Sequence, residues 1–262
     1  MLRNASAING YAIAASDGRL GTVSDFLFDD ASWMVRWLVV DTGKWLSGRK
    51  VLLPPSVLGH PDPEDKEFPV RLTMQQVKDS PDIETDQPVS RQMETGIYDY
   101  YGWRPYWGTG YYTGALGYMS GYGYPLGSVA PSPGRIRRAE DIAAARHSYD
   151  DPHLRSIEAI TAYHIHASDG EIGHVEDLLL EDADWSIHYL VVDTKNWWPG
   201  KTVLISPGSV REIDWTDNLV NLNVDRQRVK DSPTYDPSTT VDRAYENHFH
   251  NYYADVRPGK QL

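Results

Sequence analysis

The sequence has no cysteine among its 262 residues. That excludes disulfides, thiolate metal sites and thiol nucleophiles together, and it fits a reducing compartment. Phenylalanine is scarce, with 4 residues. No apolar run reaches the roughly 18 residues needed for a membrane-spanning helix, so no membrane span is expected. Basic residues are outnumbered, 25 Lys and Arg against 37 Asp and Glu. The net charge of −12 argues against a nucleic-acid partner, because the phosphate backbone is recognised through clustered positive charge. Neither familiar glycine-rich phosphate loop is present, nor a Gly-x-Ser-x-Gly elbow. What the chain has in excess is amphipathic aromatic surface, 17 Tyr and 9 Trp.

The chain repeats itself. Slid by 152 positions it matches without a gap, with about 40 of roughly 101 positions identical, where chance gives ~6%. Val39-Val40-Asp41-Thr42 meets Val191-Val192-Asp193-Thr194, Trp33 meets Trp185, and Val77-Lys78-Asp79-Ser80-Pro81 meets Val229-Lys230-Asp231-Ser232-Pro233. This divides the chain into a first copy at 1–101, an insert at 102–152, a second copy at 153–253 and a tail at 254–262. The weakly apolar stretch Ile8 to Ser16 recurs in mid-chain as Ile160 to Ser168, so it reads as a folded strand and not as a signal peptide.

Within one copy, Ala7-Ile8, Tyr11 and Ile13 alternate as a strand would. Asp17-Gly18 and its counterpart Asp169-Gly170 predict hairpin turns, with glycine supplying a positive φ. Leu20, Val23, Phe26 and Phe28 form a second strand, in which Gly21 and its counterpart Gly173 mark a bulge. Val35 to Asp41 is the most apolar strand, and two shorter ones follow at Val51–Leu53 and Phe68–Leu72. Thr73-Met-Gln-Gln76 is a capping box for a short helix. A second helix over Pro88 to Tyr101 carries Val89, Met93, Ile97 and Tyr100 at helical spacing, matched by Val241, Tyr245, Phe249 and Tyr252. Short strands, tight turns and a closing helix predict a mainly β fold. It comprises two homologous small β-barrels, each followed by a short amphipathic helix and joined by a Gly/Tyr-rich connector.

At this point the sequence resembles the PRC-barrel family. Asp17-Gly-Arg-Leu-Gly21-Thr-Val-Ser-Asp25, Trp37-Leu-Val-Val-Asp41 and Trp45-Leu-Ser-Gly48 carry the likeness. Asp169-Gly-Glu-Ile-Gly173 and Trp197-Trp-Pro-Gly200 repeat it. The resemblance implies the β-barrel shared by the photosynthetic reaction-centre H subunit and the ribosome-maturation protein RimM. Its motifs are turns and core positions, so they specify fold and leave function open.

The candidate chemistry is sparse. Asp41 and Asp193 end buried strands before a Thr, a setting in which aspartate caps a turn. Asp25 and Asp177 are expected to bond backbone amides in the barrel. No nucleophile or base stands at an informative spacing from them, so the chain is expected not to be an enzyme and to need no cofactor. His164 and His166 share one face of a strand in the second copy, where the first copy has Ala12 and Ala14. They are the candidate metal ligands, and they support a second reading as a small-ligand or metal-responsive sensor.

The leading expectation is a cytoplasmic, non-catalytic structural or adaptor protein that contacts itself or another protein. The interaction residues expected are Tyr100, Tyr101, Trp103, Tyr106, Trp107, Tyr111, Tyr112, Tyr118, Tyr122 and Tyr124 around the insert. Phe249, Tyr252 and Tyr253 are their counterparts at the end of the second copy. A short basic helix is expected over Arg135 to His147.

Overall fold

The computed structural model describes residues 1–61, 65–80, 91–103, 154–194 and 201–236, together with 241, 245, 246, 249 and 252. The expected interaction residues Tyr106, Trp107, Tyr111, Tyr112, Tyr118, Tyr122, Tyr124 and Tyr253 lie outside the described residues. So do Val89, the side chain of Met93, the basic stretch 135–147 and the tail 254–262.

The first copy contributes β1 (Leu2–Asn4), α1 (Ala5–Ile8), β2 (Ala12–Ala15), β3 (Gly18–Asp29), β4 (Met34–Asp41), β5 (Lys50–Leu53) and β6 (Glu67–Pro69). Two helices, α2 (Met74–Lys78) and α3 (Arg91–Tyr101), complete it. The second contributes β7 (Leu154–Ser156), α4 (Ile157–Ile160), β8 (His164–Ala167), β9 (Gly170–Glu181) and β10 (Ile187–Asp193). It continues with β11 (Thr202–Ile205), β12 (Val210–Asp214), β13 (Leu219–Leu222) and α5 (Arg226–Asp231). The protein is mainly β, with one barrel-like sheet per copy. The strand orders are β5-β4-β3-β2-β6 and β11-β10-β9-β8-β13-β12.

The first expected strand begins later than its alternation suggests. Ala5–Ile8 is a single helical turn that buries Ala5 and Ile8, and β2 starts at Ala12. Spacings of two and three both fit so short an apolar run, and packing selects the helix. The hairpin also differs by one residue. Ala15 pairs with Gly18, so Ser16 and Asp17 form the two-residue loop, and Gly18 is the first residue of β3. Gly170 sits likewise opposite Ala167. Their φ values are +157° and +143°. The freed Asp17 carboxylate accepts the Met74 amide at the start of α2, 2.8 Å away. Asp169 accepts the Arg226 amide at the same distance, and that bond lowers its pKa.

The bulge expected at Gly21 is present, since Ile13 pairs with Gly21 while Ala14 pairs with Arg19. The glycine serves close approach. A Cβ on Gly21 would lie 2.0 Å from the Asp41 carbonyl oxygen, and one on Gly173 would lie 2.0 Å from that of Asp193. The capping box forms as expected, with the Gln76 amide donating to Thr73 Oγ1 and the Thr73 amide donating to Gln76 Oε1.

β4 reads as a continuous apolar run because both of its faces are covered. One face looks into the barrel with Val35, Leu38 and Val40. The other carries Trp37 and Val39, which pack beneath Ile97 and Tyr98 of α3. In the second copy Tyr189 and Val191 lie beneath Phe249. Glu94 of α3 is fully buried, and its Oε1 accepts a hydrogen bond from Trp37 Nε1 at 2.6 Å. A buried carboxylate is tolerated there because it is paired.

Candidate protein–protein interface

The two copies hold each other by exchanging their first strands. β1 of the first copy pairs antiparallel with β9 of the second, with Leu2 opposite Glu181 and Asn4 opposite Leu179. β7 of the second copy pairs with β3 of the first, with Leu154 opposite Asp29 and Ser156 opposite Leu27. Each pair maps onto the other when 152 is added to one partner and subtracted from the other, so the contact is isologous. Flanking ion pairs repeat it, Arg3 with Asp182 at 2.9 Å and Arg155 with Asp30 at 3.5 Å.

Asp25 and Asp177 lock the exchange. The expectation for them is hydrogen bonds from backbone amides in the barrel. Each does accept the amide of the residue after it, but the remaining partners come from the opposite copy. Asp25 accepts the Glu158 amide at 3.0 Å and the Ser156 hydroxyl at 2.5 Å. Asp177 accepts the Ser6 amide at 3.2 Å and the Ser6 hydroxyl at 2.5 Å. The amides correspond between copies, whereas the hydroxyls come from non-equivalent positions. The two carboxylates line one cavity of about 230 Å³, shared with Glu158 and Glu176. Burial pushes both carboxyls above the ordinary range, and the hydrogen bonds pull only partly against it.

The turn after each long strand closes the contact. Trp185 is buried against Phe26 and Phe68 of the first copy, with ring centroids 6.1 Å and 5.8 Å apart. Trp33, at the equivalent place, stays partly exposed and packs on Phe28 of its own copy at 5.6 Å. The interiors of the two barrels consequently merge into one apolar cluster.

The expected interaction residues divide. Tyr100 is 41% exposed, and its hydroxyl donates to the Gln76 carbonyl. Tyr101 and Trp103 stack at 4.1 Å with an interplanar angle of 9° and are half-buried. Phe249 is fully buried against Tyr189 and Val191, so it belongs to the chain's core and not to an open surface. The Tyr252 hydroxyl donates to the Arg228 carbonyl at 2.6 Å, while the Arg228 guanidinium lies over the Tyr252 ring. Asp41 has the expected turn role, accepting the Gly43 amide at 2.8 Å. His164 and His166 both point away from the core, on either side of the buried Ile165. Among the described residues no three His, Asp or Glu side chains gather at metal-ligand spacing.

The strand exchange was not legible beforehand. Its only sequence signal is that Leu2-Arg3 and Leu154-Arg155 are repeated upstream of the first barrel hairpin.

Comparison with known proteins agrees with the fold. Residues 3–73 match the model of the PRC-barrel domain. An uncharacterised protein of Deinococcus radiodurans is 33% identical over 86 residues. The match covers 33% of this chain and 31% of that protein, so the chain spans about a third of its relative's length. None of its described helices is long and apolar enough to cross a membrane. With the turn motifs, the bulge glycine and the strand order in place, the chain carries a PRC-barrel domain at residues 3–73, and its second copy repeats that fold 152 residues later.

Proposed function

We propose that this chain is a non-catalytic structural or adaptor protein of the cytoplasm, acting through protein–protein contacts and associating with itself. The observation that carries the reading is the pairing of Tyr101 with Trp103 at the exit of α3, beside the exposed Tyr100. These rings stand where the chain enters an insert that is itself dense in Tyr and Trp. Half-exposed, stacked aromatics are the residue type that interfaces concentrate. The reciprocal strand exchange supports the same reading, because it satisfies the mutual contact of the two copies within one chain. The aromatic surface is thereby left for a further partner. The carboxylates that burial perturbs most plainly, Asp25 and Asp177, are occupied in holding the copies together.

The test replaces residues 103–124 by a Gly/Ser segment of equal length and measures mass by light scattering. The expected result is a smaller assembly with an unchanged far-ultraviolet spectrum. An unchanged mass and an unchanged melting temperature would overturn the reading.

A further inference from the structure

We propose that the outer face of the β8–β9 hairpin binds a divalent transition-metal ion between His164 and His174. The sequence spacing pairs His164 with His166, two residues along one strand and about 6.7 Å apart. The register offers a closer partner, because His164 lies directly opposite His174. The His164 amide is committed to the Asn218 carbonyl on the other side of β8, away from β9. The bonds to β9 run instead through its neighbour, with the Val175 amide donating to the Tyr163 carbonyl. His164 and His174 therefore form a non-hydrogen-bonded pair, the kind in which opposed Cα atoms are about 4.5 Å apart and side chains are closest. Two imidazole nitrogens each ~2.1 Å from one ion stand about 3 Å apart, a separation this pairing reaches by side-chain rotation alone.

The surroundings favour that use. Glu171 Oε1 is 3.0 Å from His164 Nδ1. A carboxylate on one ring nitrogen orients the imidazole and raises the basicity of the other, which is how metal-ligating histidines are commonly held. The His174 ring makes no hydrogen bond among the described residues. Ile165 and Val175 take the core side of the two strands, so all the polar side chains stand on one face. His166 lies opposite Glu171 in the next row. The remaining positions fall to water, since no trio is already assembled. Imidazole ligands select zinc, nickel or copper over magnesium or calcium. The first copy has the same hairpin with Ala12 opposite Thr22 and lacks the site.

The test is calorimetric titration of the untagged full chain with nickel chloride at pH 7.5. One saturable site is expected. Affinity should fall about tenfold or more in His164→Ala and in His174→Ala, and less in Glu171→Gln. It should be unchanged in His188→Ala, whose ring lies by Glu246. The ion should raise the melting midpoint of the wild type and leave that of the His164→Asn/His174→Asn double variant unmoved. That variant should melt like the wild type when no metal is present, because both side chains face solvent. Absence of saturable binding, or equal affinity in the double variant, would overturn the proposal.

Discussion

Trp33 and Trp185 occupy the same left-handed backbone position in the two copies, with φ of 55° and 63°, and each gives its carbonyl to the other copy. The Ile187 amide donates to Trp33 at 2.8 Å, and the Val35 amide donates to Trp185 at 2.9 Å. A bulky residue with positive φ is strained, and such strain persists only where surrounding contacts over-determine it. Here the contacts are intercopy hydrogen bonds and, for Trp185, burial between Phe26 and Phe68.

The two indoles should therefore contribute unequally. Trp185→Ala should cost about 3–5 kcal/mol, the range for emptying a buried aromatic site. Trp33→Ala should cost less, because its ring is only partly buried. Urea unfolding of the two variants checks the order, and equal losses would contradict it.

The glycines of the bulge should tolerate substitution worse than the glycines beside the hairpin loop. Gly21→Ala and Gly173→Ala drive a methyl into a backbone carbonyl, which cannot move aside without opening the sheet. A loss of about 2–4 kcal/mol is expected for each. At Gly18 the new atom would meet the Met74 sulfur, the end of a flexible side chain, and at Gly170 it would meet Arg226 at 3.4 Å. Alanine there should cost only about 1 kcal/mol, mainly from its positive φ. Thermal melts of the four single variants test this ranking.

Acid should favour the exchange contact through Asp25 and Asp177. Their folded pKa values lie above the ordinary 3.8, so the charged forms are the disfavoured ones. Their contribution to stability is fully present below 3.8 and is lost as pH rises through the folded values. The charge of Glu158, which lines the same cavity, acts in the same direction on Asp25. Asp25→Asn/Asp177→Asn keeps an oxygen for the amides and removes the charge. The stability difference, variant minus wild type, should therefore grow as pH rises from about 4 to neutrality. Urea midpoints measured across that range provide the check. A difference that shrinks with rising pH would refute the assignment.

Local chemistry already carried most of one copy. Repetition at a fixed offset, the capping box at Thr73 and the apolar run at Val35 to Asp41 are properties of near neighbours in the chain, or of the chain compared with itself. A composition without cysteine likewise excludes disulfides and thiolate sites before any folding. Tertiary structure decided the rest. Whether Ala5–Ile8 turns as a helix or extends as a strand depends on what it packs against, since so short a run fits both periods. The bulge glycine is legible as a bulge, but the reason is the carbonyl of Asp41, which is 20 residues away along the chain and in contact across the sheet. Asp25 finds Ser156 and His164 finds His174 because strands bring together residues whose sequence separation holds no record of the pairing. The strand exchange is the largest such case. A repeated sequence is equally consistent with each copy keeping its own first strand or lending it, because the same hydrogen bonds form either way. The choice lies in the path the chain takes between Asn4 and β2, where it crosses to its neighbour.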